Sequence, residues 1–239
     1  MLTLARAELI QLFRNRLVLV TSVLLPAAFS AFFVAKHELF AKIGSLGYLA
    51  ALTLFFITAI GLYTTTVTTL AARRQNLFLK RLRSTAAGDR GILAGLLLPV
   101  TAIAAAQVAI ILIVLGAVTG PPKNPVLLVV AVVATVVMML ALGLATAGLT
   151  NSPEHAQVTT LPITVAVLAV ASWVGITGTD QLPVLKRLLP GGASTELVMN
   201  AWNGRGSLTD SLVLFGPIAA WLVLSIAMAA RLFRWEPRR

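Results

Sequence analysis

ILAGLLLPVTAIAAAQVAIILIVLGAVT (92–119), GPPKNP (120–125) and VLLVVAVVATVVMMLALGLATAGL (126–149) form one continuous stretch, and its reading decides the fold. Lys123 is the one charged residue in these 58 positions. Each apolar run exceeds the roughly 20 residues that cross a hydrocarbon core about 30 Å thick. Both are apolar all round, whereas a helix on the surface of a soluble domain is apolar on one face. The connector, with three prolines and a glycine, stops one helix and starts another.

Four further runs share this character: 17–35, 46–70, 158–176 and 212–230. None of the six contains Asp, Glu, Lys, Arg or His, and together they hold 134 of 239 residues, which leaves no room for a separate soluble domain. The chain is 58% apolar and 11% charged, against about 45–50% and 25% in soluble domains. A β-barrel would show strands of about 10 residues with alternating polarity. The fold class is therefore all-α integral membrane, with six spans in a single transmembrane domain over 1–239. No cleavage-site pattern follows the first run, so it reads as a span rather than a signal peptide. With no cysteine and two histidines, disulfides, thiolate zinc sites, iron–sulfur clusters and histidine-rich metal sites are excluded.

The net charge of +11 follows from topology and not from nucleic-acid binding. With the N-terminus inside, segments 1–16, 71–91, 150–157 and 231–239 carry 13 Lys and Arg, and 36–45, 120–125 and 177–211 carry 6. That asymmetry places both termini in the cytoplasm.

Residues 2–16 have the period of an amphipathic interfacial helix, with Leu2, Ala5, Leu9, Leu12 and Phe13 on one arc and Glu8, Gln11 and Asn15 opposite. In AARRQNLFLKRLRSTAAGDRG (71–91), Arg73, Arg74, Lys80, Arg81 and Arg83 alternate with Leu77, Phe78, Leu79 and Leu82. Charge alone would set topology; the apolar residues at helical spacing predict a short helix that lies on the membrane surface or docks a cytoplasmic protein. The outer segment 177–211 predicts two short helices between Pro183, Pro190, Gly191, Gly192 and Gly204, partly re-entrant or lying over the outer mouth.

Spans free of ionisable residues argue against a proton- or ion-coupled pathway. No Gly-Lys dipeptide occurs, so the chain has no P-loop. No hydrolase or zinc-protease motif is present, and His37 and His155 fall on opposite sides, which speaks against an enzyme. Glu154 and His155 in NSPEHAQ read as a helix start capped by Ser152 or Asn151. Thr58, Thr64, Thr65, Thr66, Thr68 and Thr69 crowd the second span as a candidate pathway wall or helix contact. Gln107 must face protein, because lipid would leave its amide unsatisfied. Trp173 lies near the outer end of the fifth span. Pro26 and Pro99 predict kinks, and Gly91-x-x-x-Gly95 permits a close helix contact.

Three stretches resemble the ABC-2 type permease family, the membrane subunits of certain ABC exporters. They are LKRLRSTAAGDRGILAGLLLP (79–99), QLPVLKRLLPGGASTELVMNAWNG (181–204) and RLFRWEP (231–237). Two departures stand out: Arg73, Arg74 and Gln75 occupy a stretch that is often acidic, and Ala86 replaces the usual proline.

The resemblance implies six spans and an N-terminal amphipathic helix in the bacterial cytoplasmic membrane. Two permease subunits, identical or different, would assemble with two copies of an ABC ATPase that binds ATP and Mg, while this chain binds no cofactor. Residues 73–83 would be the coupling helix, with Arg73, Arg74, Gln75, Leu77, Phe78, Lys80, Arg81, Leu82 and Arg83 at the ATPase interface. Spans two and five would line the pathway; the candidate pathway or helix-contact residues are Thr58, Thr65, Thr66 and Thr69 on span two, Trp173 on span five and Gln107 on span three. The outer helices over 182–203 would gate its exit through Pro183, Pro190, Gly191 and Gly192. An uncharged wall suits export of a hydrophobic or amphipathic compound, such as a drug, an antibiotic or a lipid. An ion-coupled secondary transporter and a non-transporting membrane scaffold are the alternatives.

Overall fold

A computed structural model describes residues 2–84, 88–233 and 235–236. Ala86, Arg234 and Pro237, quoted above as motif positions, lie outside the described residues.

The described residues form an all-helical fold, in chain order α1 (Leu2–Arg14), α2 (Val20–Ala35), α3 (His37–Ile43), α4 (Leu46–Gln75), α5 (Phe78–Arg83), α6 (Asp89–Thr119), α7 (Pro125–Leu149), α8 (Pro153–Thr177), α9 (Pro183–Leu188), α10 (Gly192–Asn203) and α11 (Thr209–Leu232). Five of these, α4, α6, α7, α8 and α11, are long and apolar enough to cross a membrane. The pair α2–α3, bent by 76° at Lys36, makes a sixth if it is counted as one broken span.

The first run departs from the straight span predicted over 17–35. Its backbone widens into a π turn at Val20–Leu24, directly ahead of Pro26. Proline has no N–H to offer the Ser22 carbonyl four residues back. Gln107 on α6 reaches that carbonyl instead and donates through Nε2 at 3.3 Å. The expectation that Gln107 turns toward protein is met in this way. Pro99, by contrast, sits inside α6 without interrupting it.

α4 is the central helix, and its apolar-all-round sequence matches burial on every side. Leu49, Leu54, Phe55, Leu62 and Tyr63 are wholly buried. α11 and α6 lie at the periphery, where Val223, Ile110 and Ile113 are each more than 60% exposed as a lipid-facing surface requires. Lipid tails are as apolar as leucine, so the spans are held by close packing and interhelical hydrogen bonds. Glycines mark the closest approaches. Gly143 of α7 receives Thr66, and Gly95 of α6 receives Leu4 of α1. Phe33 meets Phe40 and Phe56 edge-on at 5.0 and 5.1 Å, tying α2, α3 and α4 together.

The connections gather at two ends. At one, Glu8 pairs with Arg73, and Lys80 with Glu236. At the other, Asn203 donates to Ser45 at 3.0 Å, and the N–H groups of Lys123 and Asn124 donate to the carbonyls of Trp202 and Ala201. α10 is driven between α4, α7 and α8, with Leu197, Val198, Ala201 and Trp202 buried.

A Cβ on Gly175 of α8 would sit 1.9 Å from the Tyr48 ring of α4. Overpacking of this kind costs about 1–3 kcal/mol. Gly175→Ala is expected to lower the detergent melting temperature by several degrees, and to lower it far less in a chain that already carries Tyr48→Ala. Unchanged melting of the single variant would contradict the contact.

Candidate functional site

A cleft of about 580 Å³ opens at the end where Glu8 meets Arg73. Four elements wall it, α2 contributing Thr21 at its start. α4 supplies a stripe in which Thr64 and Thr68, and Thr65 and Thr69, stack one turn apart. The stripe begins at Ile60 and continues as Ala72, Arg73 and Asn76. α1 contributes Glu8, Gln11 and Leu12, and α8 contributes its first turns at Glu154, Gln157 and Thr160.

Three of the threonine hydroxyls are committed to their own helices. Thr64 donates to the Ile60 carbonyl, Thr68 to Thr64 at 2.8 Å, and Thr160 to Ala156 at 2.7 Å. Of the predicted pathway residues, Thr65 and Thr69 do line the cleft. Thr58 and Thr66 do not: both are wholly buried. Thr58 donates to Leu54, and Thr66 presses on Gly143. Trp173 lies at the opposite end, with the Lys186 ammonium 5.0 Å from its ring centroid.

The last turn of α4 carries two arginines that reach apart. Arg73 donates through Nη2 to Glu8 at 2.6 Å and to Gln11, and its guanidinium lies 5.2 Å from the Phe78 ring centroid. Arg74 is buried and donates to the Thr150 carbonyl between α7 and α8. The polar face of α1 thus turns toward protein at Glu8, while Ile10 and Phe13 remain exposed.

The single helix predicted over 73–83 is divided. α4 continues through Gln75, and Leu77 takes a left-handed conformation with φ of 56° before α5 begins. α5 then packs back on the core through Leu79, which is wholly buried, with Phe78 and Leu82 half-buried. The outward face is Gln75, Leu77, Lys80 and Arg81. Leu77 is 44% exposed. Arg83 pairs with Asp89 at 3.0 Å and lies 4.9 Å from the Trp235 ring centroid.

The two outer helices expected over 182–203 are α9 and α10. Pro183 opens α9, while Pro190 and Gly191 form the turn before α10. Only glycine fits at Gly192, where a Cβ would fall 1.7 Å from the Lys186 carbonyl oxygen. Lys186 is buried and donates to Thr177 and to the Gly178 carbonyl, closing the end of α8. Arg187 grips Glu196 with two hydrogen bonds, which raise its pKa above the usual value.

Sequence reasoning missed Glu8, Gln11, Gln157 and Thr160 as cleft residues. Glu154 it read as part of a capped helix start. Ser152 does cap α8, accepting from the His155 N–H at 3.2 Å, and Glu154 also lines the cleft.

Residues 34–230 match the family model described as ABC-2 family transporter protein. No curated protein matches the chain.

The Glu8–Arg73 pair closes one side of the cleft from a nearly buried position. Hydrogen bonds to charged groups are worth about 1.5–3 kcal/mol. A double-mutant cycle of Glu8→Gln and Arg73→Gln, read by thermal unfolding, should return coupling in that range. A cysteine introduced at Gln11, in a chain with no other cysteine, should react faster with a maleimide when Glu8 is changed. Additive single effects and unchanged labelling would mean that the pair does not hold α1.

Proposed function

Because the chain belongs to the ABC-2 family of transporter proteins, we propose that it is the membrane subunit of an ATP-driven exporter whose ATPase is a separate chain. The family is the membrane component of transport, and this member is a multi-pass membrane protein. In the proposed assembly two such subunits meet two ATPase subunits, ATP and Mg reside on the latter, and both termini face the cytoplasm of a bacterial cell. The substrate is a hydrophobic or amphipathic compound.

The outward face of α5 carries this reading. A helix of six residues is fixed to the core by Leu79 on one side and offers Leu77, Lys80 and Arg81 on the other. A leucine held in the left-handed region costs on the order of 1–2 kcal/mol. Strain of this kind collects where a segment must be aimed. Among the described residues Lys80 pairs with an exposed Glu236 at 3.2 Å, and such surface pairs contribute about 0–1 kcal/mol, so a docking partner can displace it easily. Motion of the ATPase pair would enter at α5, pass through Phe78 to Arg73, and reach the wall of the cleft at Glu8.

The exposed residues give the cleanest test, since Phe78 and Leu82 are also part of the packing. Leu77→Asp, and Lys80→Glu with Arg81→Glu, should insert normally. Each should reduce co-purification of the ATPase and stimulated ATP hydrolysis by about tenfold or more, as loss of an interface hot spot does. Wild-type hydrolysis in both would remove the docking reading, and gradient-driven transport by the chain alone in vesicles would remove the exporter. For orientation, an impermeant maleimide should label a cysteine at Arg205 but not one at Gln75 in intact spheroplasts.

A further inference from the structure

We infer that the cleft between α1, α4 and α8 is selective for amphipathic cations that donate hydrogen bonds. This rests on the exporter reading for why a small molecule would enter the cleft, and it narrows the class of that molecule.

A hydroxyl has one proton to donate and two lone pairs that accept. Along the α4 stripe and at the start of α8, Thr64, Thr68 and Thr160 have given that proton to a carbonyl of their own helix. What they turn to the cleft is lone pairs. A ligand carbonyl or carboxylate placed there meets acceptors with acceptors. An ammonium or amine N–H finds partners without breaking any helix bond. The Thr65 and Thr69 hydroxyls, which also line the cleft, and amide groups such as Gln157 can donate or accept and do not decide the preference.

Charge points the same way. The lining holds three charged side chains, Glu8, Arg73 and Glu154. Glu8 and Arg73 neutralise each other at 2.6 Å. Glu154 is exposed and has no ion pair among the described residues, so the lining is left with one negative charge. Leu12, Val18 and Ile60 provide the apolar wall for the body of the ligand. The volume of about 580 Å³ lies within the range of roughly 300–1,000 Å³ that holds drug-sized molecules.

The experiment uses the full chain in phosphatidylcholine nanodiscs, whose lipid carries no net charge, with empty nanodiscs as the blank. Three fluorescent probes share one body: dansylcadaverine with an ammonium, its N-acetylated neutral form, and dansyl-aminohexanoate with a carboxylate. Dansylcadaverine should bind saturably and about tenfold more tightly than the carboxylate probe, the neutral form falling between. Glu154→Gln should weaken dansylcadaverine by about three- to fivefold, because an exposed charge is partly screened. Glu154→Lys should weaken it further and improve the carboxylate probe. Thr64→Val with Thr68→Val should weaken dansylcadaverine and its neutral form alike, with melting unchanged. Equal affinity for the three probes, absence of saturable binding, or indifference to Glu154→Lys would overturn the inference. ATPase association of the same preparations keeps the two readings apart. Selective binding without an ATPase partner would remove the exporter and leave the site, and an ATPase partner without charge preference would do the reverse.

Discussion

The Ser22 carbonyl has no N–H waiting four residues on, because that residue is Pro26, and in a bilayer no water makes up the loss. The Gln107 amide of another span supplies the bond at 3.3 Å. The same rule operates wherever a helical ladder ends or breaks. Lys186 reaches the Gly178 carbonyl beyond α8, Arg74 the Thr150 carbonyl beyond α7, and the Trp221 indole donates to the Leu188 carbonyl at the end of α9. At the start of α4, the Gly47 N–H is taken by Asn203 at 3.1 Å. An unsatisfied backbone group in hydrocarbon costs several kcal/mol, so each of these long side chains fixes the relative position of two elements as firmly as packing does.

The spans themselves are drawn together without a hydrophobic drive, so shape has to do the remaining work. Glycine on one helix receives a protruding group from the next. A Cβ on Gly61 would lie 3.0 Å from the Ser22 carbonyl oxygen, and one on Gly148 would lie 2.9 Å from Leu232. The first of these brings the proline-broken segment of α2 against α4, where Gln107 can reach it. Packing and hydrogen bonding therefore specify the same contact, and α4 sits at the centre because its surface accepts neighbours on every side.

The spans were legible because hydropathy and length respond to the bilayer alone: 92–119 and 126–149 became Asp89–Thr119 and Pro125–Leu149. The threonine cluster was legible as a feature, but not its orientation. Thr65 and Thr66 differ by about 100° around α4, and a helix buried on all sides carries no apolar stripe to say which of them faces a gap. The break at Leu77 was hidden because leucine gives no signal for positive φ, and FLKRLR continues the helical period of the residues before it. The bend at Lys36 was hidden by its context, since the apolar run ends there and reads as the membrane boundary. The cleft was hidden for a different reason. Its walls come from segments some 60 and 150 residues apart in a chain of 239, and the polar face of α1 fits lipid headgroups as well as it fits Arg73.

The break at Leu77 has a mechanical consequence. Had α4 run straight through residues 73–83, a force applied at its tip would travel along its axis into Tyr63, Phe55 and Leu49, which are wholly buried and have nowhere to go. With the chain turned at Leu77, force on α5 instead arrives sideways at the Phe78 ring, against which Arg73 is seated. Arg73 holds α1 through Glu8, while its neighbour Arg74 holds the root of α8 through Thr150. Adjacent residues on a helix point about 100° apart, so the two arginines brace the last turn of α4 against both flanks of the cleft. Two successive residues of α4 thereby tie together α1, α4 and the connection between α7 and α8 at one end of the cleft.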